Sequence, residues 1–214
     1  MSDTHDDHVA AAGPTGRATH GEPAPGQRPR RRLTVVSGPS GVGKSSVVSE
    51  LRRMDPDIYF SVSVTTRRPR PGEVDGAHYH FIDRPMFDKM VGAGELLEHA
   101  EFAGNCYGTP RLPVERALAD GRPAVLEIEL QGARQIREAM PGARLVMLMP
   151  PSWDELVGRL TGRGTEEEEA VRARLAEAER ELAAAGEFEA RVVNADVREA
   201  ARQLLDLMNS DLSN

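Results

Sequence analysis

The sequence predicts an α/β fold, a parallel sheet covered by helices, and three observations predict it. Short aliphatic and β-branched runs recur at 33–37, 124–130, 145–149 and 191–194, with helical patterns between them near 44–54, 111–120, 132–139, 153–161, 166–185 and 197–208. Those runs are mainly apolar, which suits strands buried on both faces of a parallel sheet. The first of them leads into the run Gly38-Pro39-Ser40-Gly41-Val42-Gly43-Lys44-Ser45, and a helical pattern, Ser46 to Met54, follows at once.

Taken in chain order, residues 1–31 carry Gly, Pro, Ala, Thr and Asp without apolar periodicity. They are expected to form a disordered arm. Arg28 to Arg32 could contact an acidic partner or lipid, or serve as a solvated lead-in to the first strand. No apolar stretch of signal-peptide length follows.

The run Gly38–Ser45 fits G-x-x-x-x-G-K-[ST] in the strand-to-helix context that this motif requires. Glycines allow a tight turn that points successive N–H groups at one anion, and the helix N-terminus adds its partial positive charge. Lys44 then supplies a mobile ammonium for β- and γ-phosphates, and Ser45 a hydroxyl for Mg²⁺. A purely structural turn needs neither group. The motif therefore points to a nucleoside triphosphate, with the fold of a P-loop NTPase core.

Residues 58–110 break the rhythm. Tyr59 to Val64 alternates apolar and polar, as a half-exposed strand does. Arg67, Arg68 and Arg70 follow, then Pro71-Gly72-Glu73 and His78-Tyr79-His80-Phe81. This predicts a small, mostly antiparallel lobe inserted into the core, with Arg67 and Arg70 near enough to share a second phosphate. Further on, Ser152-Trp153-Asp154-Glu155 and Thr165-Glu166-Glu167-Glu168 fit the capping box. Val171, Leu175, Ala178 and Leu182 form one apolar helical stripe.

Composition bounds the rest. A chain of 214 residues fits one domain, or one with an added lobe. The net charge of −7 gives no electrostatic reason to expect nucleic acid. The one cysteine, Cys106, excludes an internal disulfide and suits a cytoplasmic setting. No apolar run is long enough for a membrane span, so no membrane partner is expected. His78, His80 and His99 lack the neighbours of a metal site and read as surface or packing residues.

The stretch Phe60–Gly76 resembles the nucleoside-monophosphate lobe of guanylate kinases. Glu101–Thr109, Glu127–Ala133, the lid-like Arg159–Glu166 and Val192-Val193-Asn194 are similar to the same family, in order, across about residues 31–208. The resemblance implies a domain at 32–209, with core segments 32–57, 111–150 and 188–209, a GMP-binding lobe at 58–110, a mobile helical lid at 151–187 and a tail at 210–214. It implies ATP as donor, GMP and with it dGMP as acceptor, and Mg²⁺ as cofactor.

Carried over residue by residue, Gly38, Pro39, Ser40, Gly41, Val42, Gly43, Lys44, Ser45, Ser46 and Asn194 would bind ATP. Lys44, Arg159, Arg163 and Arg174 would neutralise the transferring group. Glu98 would take both guanine donors, N1–H and the N2 amine, with Ser63 and Thr109 offering hydroxyls to the base. Arg67, Arg70, Tyr79 and Tyr107 would hold the monophosphate, and Glu73 would orient one of the two arginines. Glu127 and Glu129 would face substrate or hold Mg²⁺ through water. Three positions depart from the family pattern: Glu129 stands where Asp is usual, Val64 where a polar residue is common, and Cys106 at a variable position. Two rivals weigh less. An interaction module has no need of Lys44, Arg163 and Arg174, and a sugar-phosphate kinase has no need of Glu98, Ser63 and Thr109.

Overall fold

The structure, a computed structural model, describes residues 33–102, 104–161 and 168–210. Its centre is strand β1, Leu33–Ser37, buried along its whole length. Alternate side chains of a strand face opposite ways. Val35 accordingly packs with Leu126, Ile136 and Met147 on one side of the sheet. Val36 packs with Val48, Leu51, Leu148 and Leu204 on the other. The remaining strands of this sheet are β2 (Tyr59–Phe60), β7 (Ala124–Glu127), β8 (Arg144–Met149) and β9 (Ala190–Val193), in the order β2-β7-β1-β8-β9. All four pairings are parallel, as the mainly apolar runs predict. Helix α1, Lys44–Met54, packs beside α7, Val197–Asn209. Helix α4, Leu130–Ala139, lends Ala133 and Ile136 to the opposite face.

A second sheet, of order β4-β3-β6-β5, forms the lobe from Val64–Thr65 (β3), His80–Phe81 (β4), Leu96–Phe102 (β5) and Asn105–Pro110 (β6). The β3–β6 and β5–β6 pairs are antiparallel, and β3–β4 is parallel. Val64, Phe87, Leu96 and Cys106 are its small core. This explains two of the departures: Val64 and Cys106 pack against each other's neighbours instead of facing solvent.

The structure corrects three readings of the sequence. Tyr59–Val64 is not one strand. Tyr59 and Phe60 pair with β7 in the core sheet, and only Val64 and Thr65 belong to the lobe; a period of two marks a strand but not the sheet it joins. The strand expected at 124–130 ends at Glu127, and Glu129 is the N-cap of α4, with extended φ −81° and ψ 169°. Helix α2, Arg84–Gly92, escaped the sequence reading altogether, although Asp83 caps it by accepting the Met86 N–H at 2.9 Å and Pro85 sits in its first turn.

Helix α3, Arg111–Ala119, links lobe to core. Helices α5, Trp153–Thr161, and α6, Glu168–Ala183, pack through Leu156, Leu160 and Ala178. The expected cap at Ser152 is present, its hydroxyl accepting the Glu155 N–H at 3.2 Å. The expected cap at Thr165, the lid residues Gly162, Arg163 and Gly164, and the arm at 1–31 lie outside the described residues.

Candidate active site

The loop after β1 is shaped by its glycines. Gly38 has φ 148°, and a Cβ there would lie 2.5 Å from the Leu148 carbonyl oxygen. Gly43 caps α1 in the left-handed region, φ 94°, and a Cβ there would meet Asn194 Nδ2 at 2.6 Å. No side chain caps the amides of α1, so its N-terminal turn remains available to an anion. Pro39, Ser40 and Ser46 line the cavity above this turn.

Lys44 opens the helix. Its Nζ donates to the Gly38 carbonyl and lies 3.2 Å from Glu129 Oε2. Ser45 Oγ donates to Glu127 Oε1 at 2.6 Å. Burial pushes the Glu127 carboxyl above its ordinary range, opposed by the Ser45 hydroxyl and by Lys44. A third carboxyl, Glu181 on α6, is 4% exposed and lies beside Glu129. Burial and then the Glu129 charge raise it to about 8. The sequence reading missed Glu181, because α6 is crowded with acids. The available signal was its i,i+4 spacing from Glu177, beside the buried Ala178; Glu177 and Glu181 both line the cavity.

At the base of the loop Asn194 donates Nδ2–H to the Val42 carbonyl at 2.7 Å, and its Oδ1 is buried without a partner. Arg159 reaches the same place, donating to the carbonyls of Val42 at 3.3 Å and Asn194 at 3.5 Å and to Glu155 at 3.2 Å. Arg159 does not line the cavity, and neither does Arg174 on α6.

The lobe holds the second group of predicted residues. Arg67 makes a forked pair with Glu73, at 2.9 and 2.8 Å, and Glu73 also accepts the Arg70 N–H at 2.7 Å. The Arg67 guanidinium therefore holds the Glu73 carboxyl down to about 2, with help from the Arg70 amide. Of the two arginines, the side chain that Glu73 fixes is Arg67. The guanidinium also lies over the Tyr79 ring at 5.4 Å, and Tyr79 meets Tyr107 edge to face at 6.1 Å. Burial raises the Tyr79 hydroxyl above its usual value.

Glu98, on β5, is 5% exposed. Thr109, opposite it on β6, donates its hydroxyl to Glu98 Oε1 at 2.6 Å. Burial raises the carboxyl to about 7 even so. Ser63, Arg70, Tyr79 and Tyr107 line the same space. One cavity of about 620 Å³ runs from the loop at Lys44, past Glu127 and Glu129, to Glu98.

The histidines stand apart. His78 Nδ1 accepts the Val74 N–H at 3.0 Å, and His99 meets Phe87 edge-on. Among the described residues no cluster of His, Cys, Asp and Glu is arranged to hold a metal.

Residues 30–211 match the family model for guanylate kinase. The chain belongs to the guanylate kinase family. Among guanylate kinases it is 61% identical over 180 residues to that of Streptomyces coelicolor, covering 84% of this chain and 91% of the relative. It is 61% identical over 178 residues to that of Thermobifida fusca, covering 83% and 91%. The crystal structure of guanylate kinase from Anaplasma phagocytophilum superposes with a TM-score of 0.71 at 33% identity, over 87% of this chain and 89% of the other. The parallel core with its flanking helices and inserted lobe is thus a guanylate kinase fold.

Proposed function

We propose that the protein transfers the γ-phosphoryl group of ATP to GMP, and to dGMP, giving ADP and the corresponding diphosphate. The observation that carries this reading is the single cavity with a phosphate loop and lysine at one end and a buried carboxylate paired to Thr109 at the other. Phosphoryl transfer asks the protein mainly for in-line positioning and charge neutralisation.

In this reading the α1 amides and Lys44 hold the donor phosphates. Lys44 exchanges its contact with Gly38 and Glu129 for phosphate oxygens. Asn194, which steadies the Val42 carbonyl at the base of the loop, would touch the adenine. Arg159 supports the loop through the Val42 and Asn194 carbonyls, and neutralising the transferring group falls, in this reading, to Arg163 and Arg174 with Lys44. Arg67, oriented by Glu73, and Arg70 with Tyr79 and Tyr107 hold the acceptor phosphate. No general base is required, because a phosphate oxygen is already the nucleophile. The Ser45 hydroxyl and the Glu127 and Glu129 carboxylates are hard oxygen donors that fit Mg²⁺. Ser45 would hold the ion directly, and Glu127 or Glu129 through water. When bound, the ion supplies charge neutralisation to the β- and γ-phosphates.

A coupled ADP-release assay across GMP, dGMP, AMP, CMP and UMP tests the proposal. Turnover with GMP and dGMP, and a loss of roughly 10⁴ or more with AMP, is expected, because adenine has an unprotonated N1 and no N2 amine to offer Glu98. Absence of GMP-dependent ADP formation would refute it. A cytoplasmic role in purine nucleotide metabolism follows from the same reading. Cys106 is a buried free thiol, and no helix among the described residues is long and apolar enough to cross a membrane.

The Glu98 carboxyl gives a pH prediction. Guanine's N–H donors bind the anion, whereas burial holds the carboxyl at about 7 in the empty site. As pH falls below about 7, KM for GMP should rise about tenfold per unit, and KM for ATP should stay level. The substrate phosphate titrates near 6, so Glu98→Gln should abolish the inflection at about 7 and keep the lower one. A wild-type GMP profile without an inflection near 7 would show that Glu98 does not meet the base as an anion.

A further inference from the structure

We propose that Gly132 is a specificity-determining residue: its missing side chain makes the space that the Glu98 carboxylate occupies. The proposal rests on the reading of Glu98 as the group that recognises guanine.

Gly132 lies in the first turn of α4. A glycine inside a helix costs roughly 1 kcal/mol relative to alanine, so it needs a reason. Backbone conformation is not the reason, because Gly132 is not among the glycines with positive φ. Space is. A Cβ at 132 would lie 2.6 Å from Glu98 Oε2, 3.1 Å from its Cδ and 3.2 Å from Ile128 Cδ1. The first distance is far inside van der Waals contact.

Glu98 has little freedom to retreat. Its other oxygen is bound to Thr109 at 2.6 Å. The β5–β6 register shifts between Leu96 and Glu98, and such an irregularity re-aims a strand side chain. Leu97 next to it is fixed in the main core with Ala133 and Ile136. Gln135, one turn along α4, clamps the backbone of His99: its amide donates to the His99 carbonyl at 2.7 Å, and its carbonyl oxygen accepts the His99 N–H at 3.0 Å. Strand and helix are therefore held together on both sides of Glu98. A methyl group at 132 would have to push the carboxylate toward the cavity and off the line of guanine's two donors. The helix would gain propensity while the site lost its reader.

The test is Gly132→Ala, Glu98→Asp and the double variant, each assayed with GMP and with the inosine monophosphate analogue that lacks the N2 amine. Gly132→Ala should lower kcat/KM for GMP at least tenfold, narrow the preference for GMP over the analogue, and leave KM for ATP within twofold. Aspartate withdraws the carboxylate by one methylene and frees the volume that the new methyl needs. Adding Glu98→Asp to Gly132→Ala should therefore restore part of the GMP activity, although Glu98→Asp alone reduces it. Unchanged GMP kinetics in Gly132→Ala, or losses that simply multiply in the double variant, would overturn the proposal. If Gly132→Ala alone fails to fold, a folded and active double variant supports the steric account, and an unfolded double variant overturns it. A wild-type protein inactive with GMP would instead refute the functional reading. A wild-type enzyme indifferent to Glu98→Gln would refute only the assignment of Glu98.

Discussion

Replacing Lys44 with alanine should lower turnover of ATP with GMP by about 10²–10³-fold, the usual loss when one preorganised charge is removed from a reacting group. The ammonium already sits among the groups that would surround the γ-phosphate, between the Gly38 carbonyl and Glu129 Oε2. Its side chain is about 10% exposed, and the bonds that alanine would lose are the polar ones to the Gly38 carbonyl and to the exposed Glu129, so its role in folding is small by comparison. Melting temperature should move by only a few degrees. With Lys44 gone, Glu127 and Glu181 lose a cation that lowers their carboxyls, so the acid side of the residual pH profile should move to higher pH. Activity within a few-fold of wild type at unchanged stability would contradict the assignment of Lys44.

Glu98→Gln should cost about 1–3 kcal/mol in recognition of GMP, because glutamine sets an N–H donor against guanine's own N–H groups. That is about one to two decades in kcat/KM for GMP. ATP binding, titrated without GMP, should stay constant. Stability should move the other way. The raised carboxyl holds in the folded protein a proton that the unfolded chain releases near its ordinary value. Its favourable contribution is complete at low pH and is lost as pH rises through about 7. A neutral glutamine escapes that loss and can still accept the Thr109 hydroxyl. The variant should therefore melt at or above the wild-type temperature at pH 8, with the gap closing toward pH 5. Equal losses for GMP and ATP would make Glu98 a structural residue.

What could be read from the sequence follows how local each constraint is. The phosphate loop was legible because its geometry, its lysine and its hydroxyl lie within eight consecutive positions, Gly38 to Ser45. The core strands were legible because burial on both faces leaves a mainly apolar run, as at Leu145 to Met149. Residues of the lobe were named through resemblance, not through periodicity. The short pairings of β2, β3 and β4 carry too few residues to show a period, which is why Tyr59 and Phe60 were assigned to the wrong sheet. Helix α2 did announce itself, in the start signal Asp83-Arg84-Pro85 and in Phe87, Met90 and Val91 at helical spacing, but it lies inside a stretch whose rhythm was read as that of strands. Glu181 and Gly132 could not be found in this way. Each matters through a partner distant in the chain, Glu129 for one and Glu98 for the other, and only the tertiary arrangement brings those pairs together.

Strand β5 ends its sheet, in the order β4-β3-β6-β5. A terminal strand offers unpaired peptide groups to any other chain that can lie beside it, and proteins guard such edges against self-association. Here the guard is a side chain. The Gln135 amide takes both the carbonyl and the N–H of His99, as a neighbouring strand would, but it cannot pass the ladder on. The β5 rim is thereby closed to strand addition at its middle by one helical glutamine.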